Sequence, residues 1–222
     1  MGQRQSSHCK YLEKSKCSRN SVPIQSSPNT CSVEHHPSLS NEQLPVDKID
    51  LKVLMEETKS DWEISKEYKA LLRQAWRLIQ SDLRSVGTVT FLKLFETHPE
   101  TLTAFIPKVN SLKEIEMNEW YSENLKSHAI RVMAIIEKVM HRLDDEERAA
   151  RILIAYGKKH FQIGVKTEML EKMGESFVTA VEPSLEKVWT KKMAEAWLSL
   201  FYFITYFMKL AYPNKPESVD SL

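Results

Sequence analysis

The chain has 222 residues, a formal net charge of +1, 27% charged residues and 42% hydrophobic residues. This balanced charge argues against a broad nucleic-acid-binding surface, which would need an excess of Lys and Arg. All three cysteines lie within the first 31 positions, and no apolar signal segment precedes or follows them. Their odd number therefore indicates reduced thiols rather than a disulfide framework.

Residues 1–61 differ in composition from the rest of the chain. They contain no Phe and no Trp, and ten of the first 40 residues are serine. Such a segment cannot bury enough apolar surface to offset the entropy of ordering its backbone, so we expect a disordered extension. Residues 62–212, which are rich in aromatic and aliphatic side chains, are expected to form one domain, with a flexible tail over 213–222.

The first six residues fit the acceptor pattern for N-myristoylation, with Gly2 as the acceptor and Ser6 at the preferred position. One myristoyl chain binds a membrane only marginally, so a second signal is needed. Two features could supply it. Either Cys9 or Cys17 could carry palmitate, and positions 1–19 contain five basic residues and only one acidic residue, Glu13. These features predict a lipid-anchored protein at the cytoplasmic face of the plasma membrane. The alternative is a solvated tail with unmodified thiols on a cytoplasmic protein.

From Ser65 onward, apolar residues recur at steps of three and four, which is typical of amphipathic helices, and no alternating pattern indicates a strand. We therefore predict an all-α domain. Its predicted elements are a helix over 65–80 capped by Ser65, a helix over 86–97, a helical turn over 99–105, a loop over 107–116, two helices that carry His128 and His160, a helix over 167–181 capped by Thr167, and a helix over 190–212 capped by Thr190. The apolar run 196–208 has 13 residues, fewer than the roughly 20 that cross a bilayer, and predicts a core helix.

His128 and His160 are 32 residues apart and lie on either side of the acidic break Asp144-Asp145-Glu146. Each is 16 residues from Asp144, so two helices that fold back at the break would place both imidazoles about 24 Å from the turn. An iron held between them could take a nitrogen from each side. The spacing therefore suggests a haem pocket.

Periodicity places both histidines on apolar helix faces, and Gly164 is a plausible end of the second helix. A single histidine on such a face is more often a core residue than a ligand, whereas two in register favour a metal site. His141 lies off the apolar stripe and His98 precedes a proline, so we expect both at the surface.

Several ordered landmarks make residues 66–212 resemble a globin. The resemblance rests on Leu72-Arg73-Gln74-Ala75-Trp76 and Gly87-Thr88-Val89, which are similar to the first and second helices of vertebrate neuroglobins, on Pro99 and Phe105, on His128 with Val132, and on Gly157-Lys158-Lys159-His160 followed by Gly164-Val165-Lys166. It implies a fold of about eight helices that encloses haem b.

The resemblance also implies roles for particular residues. His160 would be the proximal iron ligand and His128 the distal one, and Phe105 would pack flat on the porphyrin. Further haem-pocket residues implied in this way are Phe91 and Val132, which would shape the ligand space, Val165 in the corner after the proximal histidine, and Arg131, which stands where neuroglobins have lysine. Arg131 would reach a haem propionate or, as an equal alternative, remain a solvated surface residue.

The N-terminal extension resembles that of globin X, a vertebrate lineage with an acylated arm, although Gln3 stands where globin X has a cysteine beside the N-terminal glycine. The resemblance implies a six-coordinate protein that binds oxygen, nitric oxide, carbon monoxide or nitrite, in a redox or sensing role that needs a reductase. Alternatives are an enzyme that reduces nitrite or consumes nitric oxide, a soluble oxygen store or carrier, and a helical interaction module without cofactor.

Overall fold

The computed structural model describes residues 50–106, 109 and 111–213. Within these ranges the chain forms helices and connecting turns and no strand, which confirms the predicted all-α class. The helices are α1 Leu51–Glu57, α2 Lys59–Trp62, α3 Lys66–Ile79, α4 Leu83–Thr97, α5 Pro99–Phe105, α6 Leu112–Met117, α7 Glu119–Met140, α8 Glu146–Gln162, α9 Thr167–Glu171, α10 Met173–Val181 and α11 Lys191–Lys209, with short 3-10 turns at Gln80–Asp82 and Glu182–Leu185.

Two predicted helix starts are confirmed by their hydrogen bonds. The Ser65 hydroxyl accepts the backbone N–H of Tyr68 at 3.1 Å, and the Thr190 hydroxyl accepts that of Met193 at 3.1 Å. Each such cap contributes on the order of 1 kcal/mol by pairing an N–H that the helix itself leaves free. The predicted cap at Thr167 is wrong, because Lys166 occupies that position without a side-chain bond. The predicted helix is also divided at Lys172 into α9 and α10.

The predicted loop over 107–116 contains the short helix α6. Its start is Ser111, whose hydroxyl accepts the N–H of Glu114 at 3.4 Å and donates to the Glu114 carboxylate at 3.0 Å. Ser-x-x-Glu is a recognised signature of a helix N-terminus. The prediction of a loop is therefore wrong over 112–116, and the Ser-x-x-Glu signature could have revealed the helix.

The expectation of disorder is wrong for residues 50–61. The Asp50 carboxylate accepts the N–H of Lys52 at 2.9 Å and starts α1, which buries Leu51 and Met55. Trp62 at the end of α2 packs edge to face on two rings of α11, with ring centroids 5.8 and 5.4 Å away. Buried apolar contacts thus supply the stabilisation that composition averaged over 61 residues conceals. Gly2, Cys9 and Cys17 lie outside the described residues.

Helix α11 forms the centre of the larger apolar cluster. Trp197, Leu200 and Phe207 are fully buried in it, and each such side chain contributes roughly 1.5–3 kcal/mol through burial. This confirms the core helix predicted from the run 196–208. No helix in the described part of the chain has the length and hydropathy that crossing a bilayer requires.

The two histidine helices have different packing partners. Helix α7 packs along α4 and α6, whereas α8 packs along α11. The consecutive helices α7 and α8 therefore diverge from their connecting turn instead of packing side by side. A smaller apolar cluster around α4, α5 and the first half of α7 lies beside the larger one, and both contact Val132 and Met173.

Candidate functional site

The turn between α7 and α8 lies at the acidic break and is tied to α3. The Arg73 guanidinium donates to the Asp144 carboxylate at 2.6 Å, and Lys69 pairs with Glu146 at 2.5 Å. The bond from Arg73 holds the pKa of Asp144 below its usual value. Asp145 then starts α8 by accepting the N–H of Arg148 at 3.4 Å. The equal spacing of the histidines from this turn brings them to the same end of the two helices.

His160 lies in the last turn of α8, and one of its ring nitrogens is hydrogen-bonded to the backbone. Its Nδ1 is 2.8 Å from the Tyr156 carbonyl oxygen. A carbonyl can only accept, so Nδ1 carries a proton, and in the neutral ring Nε2 carries the lone pair. Among the described residues no group hydrogen-bonds Nε2. A metal-binding histidine is typically fixed in this way, with its second nitrogen donating to a backbone carbonyl.

The chain after His160 closes the helix by a tight turn. Gly164 adopts φ +80, a left-handed conformation that glycine takes without steric cost. This turn lets the N–H of Val165 donate to the His160 carbonyl at 3.0 Å. The predicted helix end is thereby confirmed, and the backbone on both sides of the imidazole is fixed.

His128 projects from α7 against two aromatic rings. Its imidazole is half-buried and meets Phe91 and Phe105 edge to face, with centroids 5.1 and 5.0 Å apart. Burial is the largest cause that lowers the pKa of His128 to about 4, and the charges of Arg131 and His160 act in the same direction. His128 is therefore a neutral imidazole at pH 7, with a lone pair available to a metal. The influence of His160 also places the two imidazoles within electrostatic reach of each other.

The other residues predicted for the haem pocket surround these histidines to different extents. Phe91 is 3% exposed, and Phe105 is half-buried with its ring 5.7 Å from that of Phe91. Val132, one turn beyond His128, contacts both apolar clusters, whereas Arg131 is exposed to solvent. The side chain of Arg131 is thus accessible to a carboxylate of a group bound beside His128.

Two further side chains, which the sequence analysis did not predict, pack on the smaller apolar cluster beside His128. Tyr121 lies seven residues before His128, a helical repeat that could have revealed it, and packs on the smaller cluster. Met173 does so from the start of α10, where no sequence pattern marked it. His141 is exposed, as predicted, and His98 is half-buried at the start of α5.

Two surface grooves lie away from the histidines. One, of about 230 Å³, is lined by α1, α2 and the start of α8, and the other, of about 530 Å³, lies between the outer faces of α10 and α11. Neither is lined by His128 or His160.

The residues present fit a haem. His128 is a neutral imidazole, His160 has an Nε2 without a hydrogen-bond partner among the described residues, and aromatic rings line the space beside His128. Axial imidazoles and an apolar, largely water-free surround are what a protein must supply to bind haem iron. Fold and site together define the class as an all-helical haem protein.

Comparison with known proteins narrows the class. The family model described as Globin matches residues 89–208, which is more than half of the chain. The neuroglobins of Chaenocephalus aceratus and Danio rerio are each 28% identical to it over 155 residues, covering 70% of this chain and 96% of theirs. The crystal structure of a protein described as a hexacoordinated heme protein from an anhydrobiotic tardigrade superposes with a TM-score of 0.58 at 20% identity, over 68% of this chain and 96% of that one.

The chain belongs to the globin family, whose members bind haem and small gaseous ligands such as oxygen. The predicted resemblance to globins of the neuroglobin type is thereby confirmed.

Proposed function

We propose that the chain binds haem b between α7 and α8, with His160 as the proximal ligand and His128 as the second axial ligand. The observation that carries this proposal is the bond from His160 Nδ1 to the Tyr156 carbonyl, which directs Nε2 away from its own helix. The neutral state of His128 supports the second half, because only an unprotonated imidazole can bind a metal. The tardigrade relative, described as hexacoordinated, has the same fold.

The chain's residues would then control access to the iron, which supplies reversible binding of oxygen, nitric oxide, carbon monoxide or nitrite. His128 would compete with every external ligand, so the apparent affinity would be the intrinsic affinity multiplied by the fraction of molecules in which His128 has dissociated. Phe91 and Phe105 limit where its ring can go, since both contact it. Arg131 would pair with a haem propionate, and Val132 and Val165 would contact the porphyrin. A ligand shell that is the same in both oxidation states suits a redox or sensing role served by a separate reductase.

The visible spectrum of the reduced, oxygen-free protein tests this proposal. We expect two sharp, resolved α and β bands, because a second imidazole keeps the iron six-coordinate. A single broad band would mean an open, five-coordinate iron. That outcome would contradict the role of His128 and favour an oxygen store or carrier.

We also propose that the N-terminus attaches the protein to the cytoplasmic face of the plasma membrane. Gly2 would carry myristate, and Cys9 or the basic residues of positions 1–19 would supply the second signal. The proposal rests on sequence alone. Attachment to the membrane would bring the protein close to membrane-associated electron donors, which a redox role requires.

The acceptor pattern for myristoyl transfer requires an N-terminal glycine, so we expect Gly2→Ala to block acylation and to move the protein from the membrane pellet to the supernatant. Fractionation of cells with active acyltransferases measures the shift. The matched control Gln3→Ala changes a position that the motif leaves open and should keep the wild-type distribution. Wild-type protein found wholly in the supernatant would exclude the anchor.

A further inference from the structure

Helix α8 lies very close to the backbone of α11 at Gly157, three residues before His160. A Cβ built on Gly157 would overlap the carbonyl oxygen of Met208 and lie 2.8 Å from its carbonyl carbon and Cα. All three are backbone atoms, so no side chain could rotate away to make room. Only glycine therefore allows α8 to lie at its present distance from α11.

The other helical glycines of the described chain meet side chains first. At Gly87, the nearest atom to a built Cβ is Met133 Cγ at 2.8 Å, which belongs to a flexible side chain. At Gly174 it is Phe201 Cβ at 3.0 Å. The Gly157 contact is thus the one of these three in which the neighbouring backbone itself blocks a larger residue.

This contact is directly connected to the His160 imidazole. Tyr156, the residue before Gly157, supplies the carbonyl that holds His160 Nδ1 at 2.8 Å. His160 itself follows Gly157 by about 4.5 Å of helix rise. A ring contact of 5.4 Å between Phe161 and Tyr212 fixes the same end of α8 to the segment after α11. A shift of α8 relative to α11 would therefore carry the imidazole with it.

Among the described helices, α8 packs mainly along α11, and α11 packs on α3 and α10, which reach α7 directly and through α4. The position of His160 relative to His128 therefore depends on how closely α8 lies to α11. A metal between two imidazoles needs each nitrogen at about 2 Å, so a wider or narrower gap weakens the bond to the residue that must reach across.

We propose that Gly157 is a positioning residue that fixes the separation of His160 from His128 and thereby the balance between six- and five-coordinate iron. This inference rests on the proposed function, because it requires both histidines to be iron ligands. Gly157 itself contacts neither ligand. It acts through the position of α8.

The test is the ferrous, oxygen-free spectrum of Gly157→Ala beside that of the wild type. We expect the ratio of six- to five-coordinate protein to fall by about tenfold or more, with faster carbon monoxide binding, because His128 no longer spans the gap. The control Gly174→Ala crowds α10 against Phe201 of α11 and leaves the contact between α8 and α11 as it is. It should lower the melting temperature and leave the ratio unchanged.

Met208→Ala keeps the test decisive if Gly157→Ala does not fold. It keeps the backbone atoms that Gly157 contacts but removes the buried side chain of the same residue, so α11 is packed less firmly at this crossing, and Met193→Ala removes another buried methionine near the other end of α11. Met208→Ala should shift the spectral ratio in the same direction, and Met193→Ala should not. A six-coordinate wild type whose ratio is the same in Gly157→Ala and Met208→Ala would overturn the role of Gly157 alone. A five-coordinate wild type would instead overturn the proposed function, and this inference with it.

Discussion

Replacing His160 with glycine should strip haem from the purified protein, and free imidazole should restore it. The variant loses the one imidazole whose Nε2 is directed outward by a bond to the Tyr156 carbonyl, and the cavity left behind can admit the small molecule. Loss of an outer partner of a metal ligand costs 10- to 100-fold in affinity, so loss of the ligand itself should cost at least about 100-fold. The measurement is the haem-to-protein ratio after gel filtration against a haem scavenger, with and without imidazole.

His141→Gly is the matched control for this experiment. His141 is exposed at the end of α7, so its loss removes a histidine without changing the residues around His128 and His160. It should keep haem at full stoichiometry. Full retention by His160→Gly without imidazole, and with the wild-type spectrum, would exclude His160 as the proximal ligand.

Replacing His128 with leucine should leave haem bound and open the iron to external ligands. Leucine retains apolar contact with Phe91 and Phe105 but offers no nitrogen. If His128 occupies the iron in all but a few per cent of molecules, its removal raises apparent carbon monoxide affinity by roughly 10- to 100-fold. Anaerobic titration with carbon monoxide and the ferrous spectrum, which should change to one broad band, measure the effect.

The haem-free form of His128→Leu gives a second readout. The half-buried imidazole has a lowered pKa and no hydrogen-bond partner among the described residues, so leucine removes a desolvation cost instead of a favourable bond. The variant apoprotein should be at least as stable as the wild type. His141→Leu should change neither stability nor spectrum. An unaltered ferrous spectrum in His128→Leu would rule out direct ligation.

The helix boundaries around the candidate site were largely predictable because their signals are local. Ser65 and Thr190 mark helix starts, Gly164 marks a helix end, and the position of His128 and His160 relative to the acidic break needs only the constant rise of a helix. Each of these features depends on a few neighbouring residues, and the chain carries them without help from distant parts of the fold.

What the sequence concealed depends on contacts between distant segments. Leu51 and Met55 give too short an apolar pattern to predict α1, which is stabilised by packing in the domain core. The contact of Gly157 with Met208 joins residues 51 positions apart, and periodicity reports which face is apolar but not how near another backbone comes. Ser111, by contrast, is a local signal of a helix start, but it lies within the stretch that was predicted to be a loop.

The separation of the two candidate iron ligands along the chain affects the entropy of the unfolded state of the haem-bound protein. With iron bonded to both His128 and His160, two points 32 residues apart would be cross-linked much as a disulfide links two cysteines. Closing a loop of that length removes enough chain entropy from the unfolded state to be worth roughly 3–4 kcal/mol. An external ligand that displaced His128 would open this loop. Gas binding would therefore loosen the protein, and thermal stability would report on ligand occupancy.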